Sequence, residues 1–305
     1  MSIHGKDIRN IAVIGHSGEG KTSVCEAILF NGGSTDRLGK VTDGTTVTDY
    51  DEQEIARKMS ISLAMAYTMW EGVKLNLLDV PGFYDFEGEE NEALRAAGGA
   101  LIVTSASGTL SVGAEKAIDK CLKNKIPMVL FINGMDKENA NYAGTVSALK
   151  AKYAGKIAPI QIPLMEGNKM VGYVNALKET CYRFADEAQK KPTPIPEELK
   201  GTLAEMQASL TETAAENDDA LLDKYFEEGT LTKDEIIHGI RKGIYNVNTI
   251  PVMAGSALQN RGIINLMDEI VKYMPSAEER REMLASGVDK DELISVTCTP
   301  DGPFA

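Results

Sequence analysis

Eight consecutive residues, Gly15-His16-Ser17-Gly18-Glu19-Gly20-Lys21-Thr22, follow the spacing GxxxxGK[ST] and limit the fold more than any other feature of the chain. A chain of this length shows that pattern by chance about once in a hundred. Its flanks are those the physics requires. Asn10 to Gly15 (NIAVIG) reads as a short buried strand, and Lys21 to Phe30 as a helix with Val24, Ile28 and Leu29 on one face. Between strand and helix, glycines let the backbone wrap so that its N–H groups face phosphate oxygens. Lys21 is placed to reach the β- and γ-phosphates, and the Thr22 hydroxyl to bind Mg²⁺. The candidate phosphate contacts are therefore Gly15, His16, Ser17, Gly18, Glu19, Gly20, Lys21, Thr22 and Ser23.

The rest of the first half repeats the rhythm of an α/β parallel sheet. Ser60 to Trp70 and Val73 to Asp79 read as strands joined by a tight turn at Glu71-Gly72, hence antiparallel. Gly99 to Ser105 and Ile126 to Asn133 read as buried strands around a helix from Val112 to Lys123, and a further helix covers Ala143 to Tyr153. The polar run from Asn31 to Arg57 is long for a structureless connection and reads as a functional loop. From Ala158 to Asn248 the texture changes to an inserted subdomain. A Leu199/Leu203/Met206/Leu210 stripe there reads as core, and Thr232 with Glu235 as a capping box. Thr249 to Gly255 resumes as a strand and Ile263 to Met274 as a helix. The expected division is a discontinuous core at 1–157 and 249–275, an insertion at 158–248, and a charged linker plus the start of a truncated second domain at 276–305.

Composition narrows the function. With 45 acidic against 32 basic residues the chain carries a net charge of −13, which gives no independent signal for nucleic-acid binding. No apolar run reaches membrane-spanning length. Cys25, Cys121, Cys181 and Cys298 show neither a CxxC pair nor a neighbouring His, and read as reduced buried thiols of a cytoplasmic protein. His4 and His238 read as isolated surface groups, Glu89, Glu90 and Glu92 as a solvated helix face, and Trp70 as a lone strand aromatic.

Two further segments bear on the base. Asp79-Val80-Pro81-Gly82 and Asn133-Gly134-Met135-Asp136 each follow a buried strand. Asp79 is suited to hold Mg²⁺ through water, and the Gly82 N–H to meet a γ-phosphate. Asp136 is suited to accept from guanine N1–H and the 2-amino group, a pair of donors that adenine lacks. An unpaired buried carboxylate discriminates by about 10⁴-fold. After the last strand, Gly255-Ser256-Ala257 is suited to give a backbone N–H to the guanine oxygen, so Asn133, Asp136, Ser256, Ala257 and Leu258 complete the candidate nucleotide set.

On these motifs the chain resembles the GTP-binding domain of translational GTPases, and among them elongation factor G and its paralogues. Asp49-Tyr50-Asp51-Glu52-Gln53-Glu54 followed by Arg57-Lys58-Met59-Ser60-Ile61 is similar to the family's first switch, D-x-x-E-Q-E…R-G-[IM]-[ST]-I. The resemblance implies that Ser60 stands for the threonine whose hydroxyl joins Mg²⁺ in the GTP state. It makes Asn133 to Asp136 the counterpart of N-K-x-D and Gly255 to Ala257 that of G-S-A. It makes the insertion the extra subdomain of elongation factor G, and Asp301 to Ala305 the opening of the following β-barrel. It implies a P-loop GTPase fold with a mostly parallel sheet and an inserted α+β subdomain. It further implies GTP and GDP with Mg²⁺ as ligands, GTP hydrolysis, a monomer, and the ribosome as partner.

Three positions depart from the family pattern. Phe83 stands where D-T-P-G-H carries the histidine that positions the attacking water, although some paralogues carry Tyr there. Losing such a group commonly costs about 10²–10⁴ in rate. Lys21, Gly82 and position 83 form the candidate catalytic set. Gly134 replaces the lysine whose stem covers the guanine ring, worth roughly 1–2 kcal/mol of apolar contact. Gly18 replaces the loop's usual Asp. The expectation is a GTPase with slow intrinsic turnover. The alternative is a nucleotide-sensing module with little or no hydrolysis, and a P-loop ATPase or kinase is a third reading that the Asn133/Asp136 pair opposes.

Overall fold

A computed structural model describes residues 3–167, 169–185, 191–279, 282–286 and 293–297. Seven strands form the main sheet: β1 at Ile8–Ile14, β2 at Ala64–Trp70, β3 at Val73–Asp79, β4 at Gly99–Ser105, β5 at Met128–Asn133, β6 at Ile157–Pro159 and β10 at Ile250–Ala254. Their order across the sheet is β2-β3-β1-β4-β5-β10-β6. All neighbours pair in parallel except β2, which runs antiparallel along β3 with Trp70 opposite Val73. Glu71 and Gly72 both adopt positive φ (47° and 82°), the backbone that a two-residue hairpin turn between twisted strands demands.

Alternation along the strands divides the core. Ile11 and Val13 face one apolar layer, against α1 (Lys21–Asn31) and α9 (Ile263–Tyr273), while Ala12 and Ile14 face the other. That second layer packs under α3 (Glu87–Ala96), α4 (Val112–Lys123) and α5 (Tyr142–Lys152). Strands buried on both faces are why NIAVIG and its counterparts read as continuous apolar runs. Helix starts are fixed locally: Ser111 accepts from the Ala114 N–H and Asn141 from the Gly144 N–H.

Between β6 and β10 lies an antiparallel sheet of β7 (Gln161–Glu166), β8 (Lys169–Asn175) and β9 (Thr180–Arg183), with α6 (Lys200–Glu216), α7 (Asp219–Glu228) and α8 (Lys233–Tyr245). The capping box at Thr232 and Glu235 is formed as expected. Leu203 and Leu210 are buried in the same cluster as Val24, Ile28 and Leu266, so this segment shares the core's apolar layer.

Several expectations need correction. The strand before the hairpin starts at Ala64, not Ser60, because Glu54 and Glu89 take the N–H groups of Ile61, Ser62 and Leu63. The 276–292 stretch is not only linker: Glu282–Ser286 forms β11, paired antiparallel with β12 at Leu293–Thr297. Glu89 and Glu90 are not merely solvated, since Glu89 accepts from Leu63 N–H at 2.6 Å and Glu90 pairs with Lys120 at 2.9 Å. Cys25, Cys121 and Cys181 are buried and free; burial pushes the Cys121 thiol up to about 12. Cys298 and Asp301 to Ala305 lie outside the described residues. Among the described residues no helix is long and apolar enough to cross a membrane.

Candidate functional site

The loop between β1 and α1 needs its glycines. Gly15, Gly18 and Gly20 have φ of 142°, 79° and 91°, and Gly20 is the left-handed residue that opens α1. Lys21 is buried and donates to the His16 carbonyl at 3.0 Å. Burial lowers its pKa, while the Asp79 and Glu19 carboxylates oppose that shift. Gly82 lies directly on this loop: a β-carbon there would fall 2.7 Å from the Ser17 nitrogen and 2.9 Å from the His16 carbonyl carbon.

The 31–60 segment folds back over the start of α1. Glu26, buried on α1, accepts from Gly39 N–H (3.1 Å) and Val47 N–H (3.0 Å). Asp51 and Glu54 cap the short helix α2 (Glu52–Arg57) reciprocally. The same Glu54 carboxylate takes the N–H groups of Ile61 and Ser62, which fixes the approach of Ser60. Ser60 Oγ stands 3.1 Å from Thr22 Oγ1 and donates to Asp49 Oδ1 at 2.7 Å, and Thr48 Oγ1 donates to Asp79 Oδ2 at 2.7 Å.

Thr22, Thr48, Asp49, Ser60 and Asp79 thus bring together hydroxyl and carboxylate oxygens from three separate segments. Asp79 is fully buried, which pushes its carboxyl up to about 6 against the lowering effect of the Thr48 hydrogen bond and Lys21. Its Oδ1 and the Oδ2 of Asp49 are buried without a hydrogen-bond partner. Hard oxygen donors with unmet acceptor capacity fit a divalent cation such as Mg²⁺. A cavity of about 190 Å³ opens beside them, lined by Ser17, Lys21, Thr22, Ser60, Gly82 and Phe83.

Phe83 is 41% exposed at this cavity. Tyr84 points elsewhere. Its ring lies 4.0 Å from the Lys116 ammonium and 6.0 Å from the His16 ring, so it does not stand in for the missing histidine in this conformation.

Asn133, at the end of β5, connects the loops. Its Nδ2 donates to the Glu19 carbonyl at 2.9 Å and its Oδ1 accepts from the Ala257 N–H at 3.0 Å. Gly134 has φ of 81°, where glycine avoids the strain that a lysine would bear. Where its side chain would project lies Lys137, whose Cε is 3.3 Å from that direction's first carbon position. Asp136 is half-buried beside it. The expectation for Gly255 to Ala257 changes. Their N–H groups are already committed to the Ile132 carbonyl, the Arg261 carbonyl and Asn133. The next N–H, of the exposed Leu258, carries no hydrogen bond among the described residues.

The sequence reading missed the side chains of Glu19, Glu26, Thr48 and Lys137. A capping signature, Asp51-x-x-Glu54, was present in the sequence and marks α2. Thr48 gave no local signal, since its partner lies 31 residues away, and Glu19 joins the nearby His16 N–H to Thr104, 85 residues away.

Comparison with known proteins places these features. Residues 6–276 match the family described as the elongation factor Tu GTP binding domain. Elongation factor G of Mycoplasma pneumoniae is 33% identical over 300 residues, covering 98% of this chain and 44% of that protein. Elongation factor G of Chlamydia trachomatis serovar D is 32% identical over 305 residues, with the same shares covered. A solved structure of a Thermus thermophilus protein superposes with a TM-score of 0.85 at 30% identity, over 90% of this chain and 41% of the other. The chain therefore spans less than half the length of these relatives. With nearly the whole of it matched by that family and by both relatives, the chain belongs to the GTP-binding-domain family of the translational elongation factors, in the form found in elongation factor G.

Proposed function

We propose that this chain binds GTP and GDP with Mg²⁺ and hydrolyses GTP, as the nucleotide-binding part of a factor that acts on the ribosome. The observation that carries the reading is the meeting of Thr22, Ser60 and Asp79 beside Lys21, each delivered by a different segment of the fold. Thr22 and Ser60 hydroxyls would hold Mg²⁺ directly and Asp79 through water. Held there, Mg²⁺ would supply positive charge against the phosphates. Lys21 and the loop N–H groups hold the β- and γ-phosphates, and the Gly82 N–H orders its segment on the γ-phosphate. Release of that phosphate frees 31–60 and the Gly82 segment together. Asp136 reads the guanine donors, and the Leu258 N–H is the donor left for the guanine oxygen. Lys137 supplies an aliphatic stem on the side that Gly134 leaves bare.

Titration calorimetry with GDP, GTP and ATP in Mg²⁺ buffer tests this. Micromolar or tighter binding of both guanine nucleotides and none of ATP is expected; no guanine binding by folded protein refutes it.

A second reading, a nucleotide-gated module with little turnover, is favoured by one observation. Phe83 lines the phosphate cavity and offers no hydrogen bond to a water there, while Tyr84 is held away against Lys116. Phe83→His decides between the two. A gain of 10²-fold or more in ribosome-stimulated hydrolysis favours the module, and an unchanged rate favours a GTPase that positions its water by other means.

A further inference from the structure

In the pattern GxxxxGK[ST] the position before the second glycine is free, and here it carries a glutamate. The Glu19 side chain does not reach solvent; it is 7% exposed and folds under the loop. Its Oε2 accepts from the His16 N–H at 2.9 Å. Its Oε1 accepts from Thr104 Oγ1 at 3.3 Å and from the Ser105 N–H at 3.4 Å. Its own carbonyl is held by Asn133. Among the described residues no cation forms an ion pair with this carboxylate. The charge is satisfied by neutral donors, which hold it in place without cancelling its field.

The position of that charge matters because of His16. One face of its backbone, the N–H, is given to Glu19. The other, the carbonyl, takes the Lys21 ammonium at 3.0 Å. The anion and the phosphate-binding cation therefore sit on either side of a single residue, both buried.

We propose that Glu19 is an affinity-setting residue of the nucleotide site: a built-in anion that shapes the phosphate loop before any nucleotide arrives and opposes the charge of the phosphates once they do. The proposal rests on the reading that this loop holds nucleotide phosphates. Two consequences follow from charge and geometry alone. The loop is pre-shaped, because its first N–H and the end of β4 are tied to one carboxylate. The opposition grows with phosphate charge, so it weighs least on guanosine and most on GTP, and it hastens release.

Glu19→Gln in the 305-residue chain separates charge from shape. The amide keeps the volume, an acceptor for His16 N–H and a donor for Thr104 Oγ1, and loses the charge and the Ser105 contact. Affinity for GDP and GTP is expected to rise about tenfold, mainly through slower release, the scale of one unit charge in a partly screened interior. Guanosine affinity is expected to change less than twofold. Equal shifts for guanosine and GDP, or weaker GDP binding, overturn the proposal and leave Glu19 a structural brace. Thr104→Val is the control where Glu19→Gln folds poorly. It removes a hydrogen bond to Glu19 and keeps the charge, so tighter GDP binding by this variant also overturns the proposal. Wild-type protein that binds no guanine nucleotide fails the underlying reading, whereas wild-type binding with no phosphate-dependent shift fails the role of Glu19 alone.

Discussion

Replacing Asn133 by alanine removes one side chain and leaves two buried backbone groups without partners. The Glu19 carbonyl loses the 2.9 Å bond from Nδ2, and the Ala257 N–H loses its 3.0 Å bond to Oδ1. Ala257 is fully buried and Glu19 nearly so, so water does not readily replace the amide. Each orphaned group costs about 1–3 kcal/mol. Partial relaxation of two loops brings the expected total to about 3 kcal/mol, or a fall in Tm of roughly 5 °C for a chain of this size. Urea unfolding with linear extrapolation measures it: the midpoint should fall while the slope stays constant. The same variant should be rescued less by nucleotide. Saturation at about 100 times Kd adds roughly 2.7 kcal/mol to any protein that keeps its affinity for the native state. The variant's phosphate loop and base loop are no longer tied to each other, so at the wild-type ligand concentration its gain should be at least 1 kcal/mol smaller. A loss below about 0.5 kcal/mol in the absence of nucleotide refutes the claim that Asn133 is the brace between the loops.

Two other substitutions or titrations bear on the structure. Gly82→Ala forces a β-carbon against the Ser17 nitrogen and the Lys21 ammonium, so it should cut single-turnover GTP hydrolysis at least tenfold and move GDP affinity less than threefold. Equal losses in both measurements would mean the close approach is not specific to the γ-phosphate. Glu235, hydrogen-bonded to Lys224 and to the backbone and hydroxyl of Thr232, has its carboxyl lowered to about 2 from the ordinary 4.5. A depressed pKa contributes stability that is present above pH 4.5 and is lost as pH falls through 2. Carbon-detected NMR should place the Glu235 midpoint near 2; a midpoint near 4.5 shows the capping box open in solution.

How much of this was readable depended on how far the interactions reach along the chain. The phosphate loop, the strands buried on both faces and the Glu71-Gly72 turn are written in short windows, and each appears within a few residues of its expected place. Helix α3 was read only as a solvated face, because Glu87, Glu89, Glu90 and Glu92 leave it almost no apolar stripe; its N-terminal turns are held by Lys120 and by the Leu63 N–H instead. The hairpin of β7 and β8 lay inside the inserted subdomain without being read as strands: its ladder includes Pro163, a residue that cannot donate to a neighbouring strand. The site was legible as a set of residue types and not as a network. Nothing near Thr48 announces Asp79, and nothing near Glu19 announces Thr104, because those contacts span 31 and 85 residues. Among the candidates Ser256, Ala257 and Leu258, the Ala257 N–H is taken by Asn133 through an interaction spanning 124 residues, which no local window shows.

Strands β6 and β10 are parallel neighbours, so the chain leaves one at its far end and must travel the length of the sheet to enter the other. The described elements β7 to α8 lie along that connection, and the strand it returns into runs directly to the loop at Gly255 to Leu258. The joint just before β10 is stiff. Asn248 and Thr249 both donate to the Gly243 carbonyl, and the Thr249 hydroxyl is gripped by Asn217, just past the end of α6, at 2.9 Å. In mechanical terms the three-helix segment is a lever whose short arm is a five-residue strand. A load applied to α6 or α8 has little slack to take up before it pulls on the loop at Gly255 to Leu258.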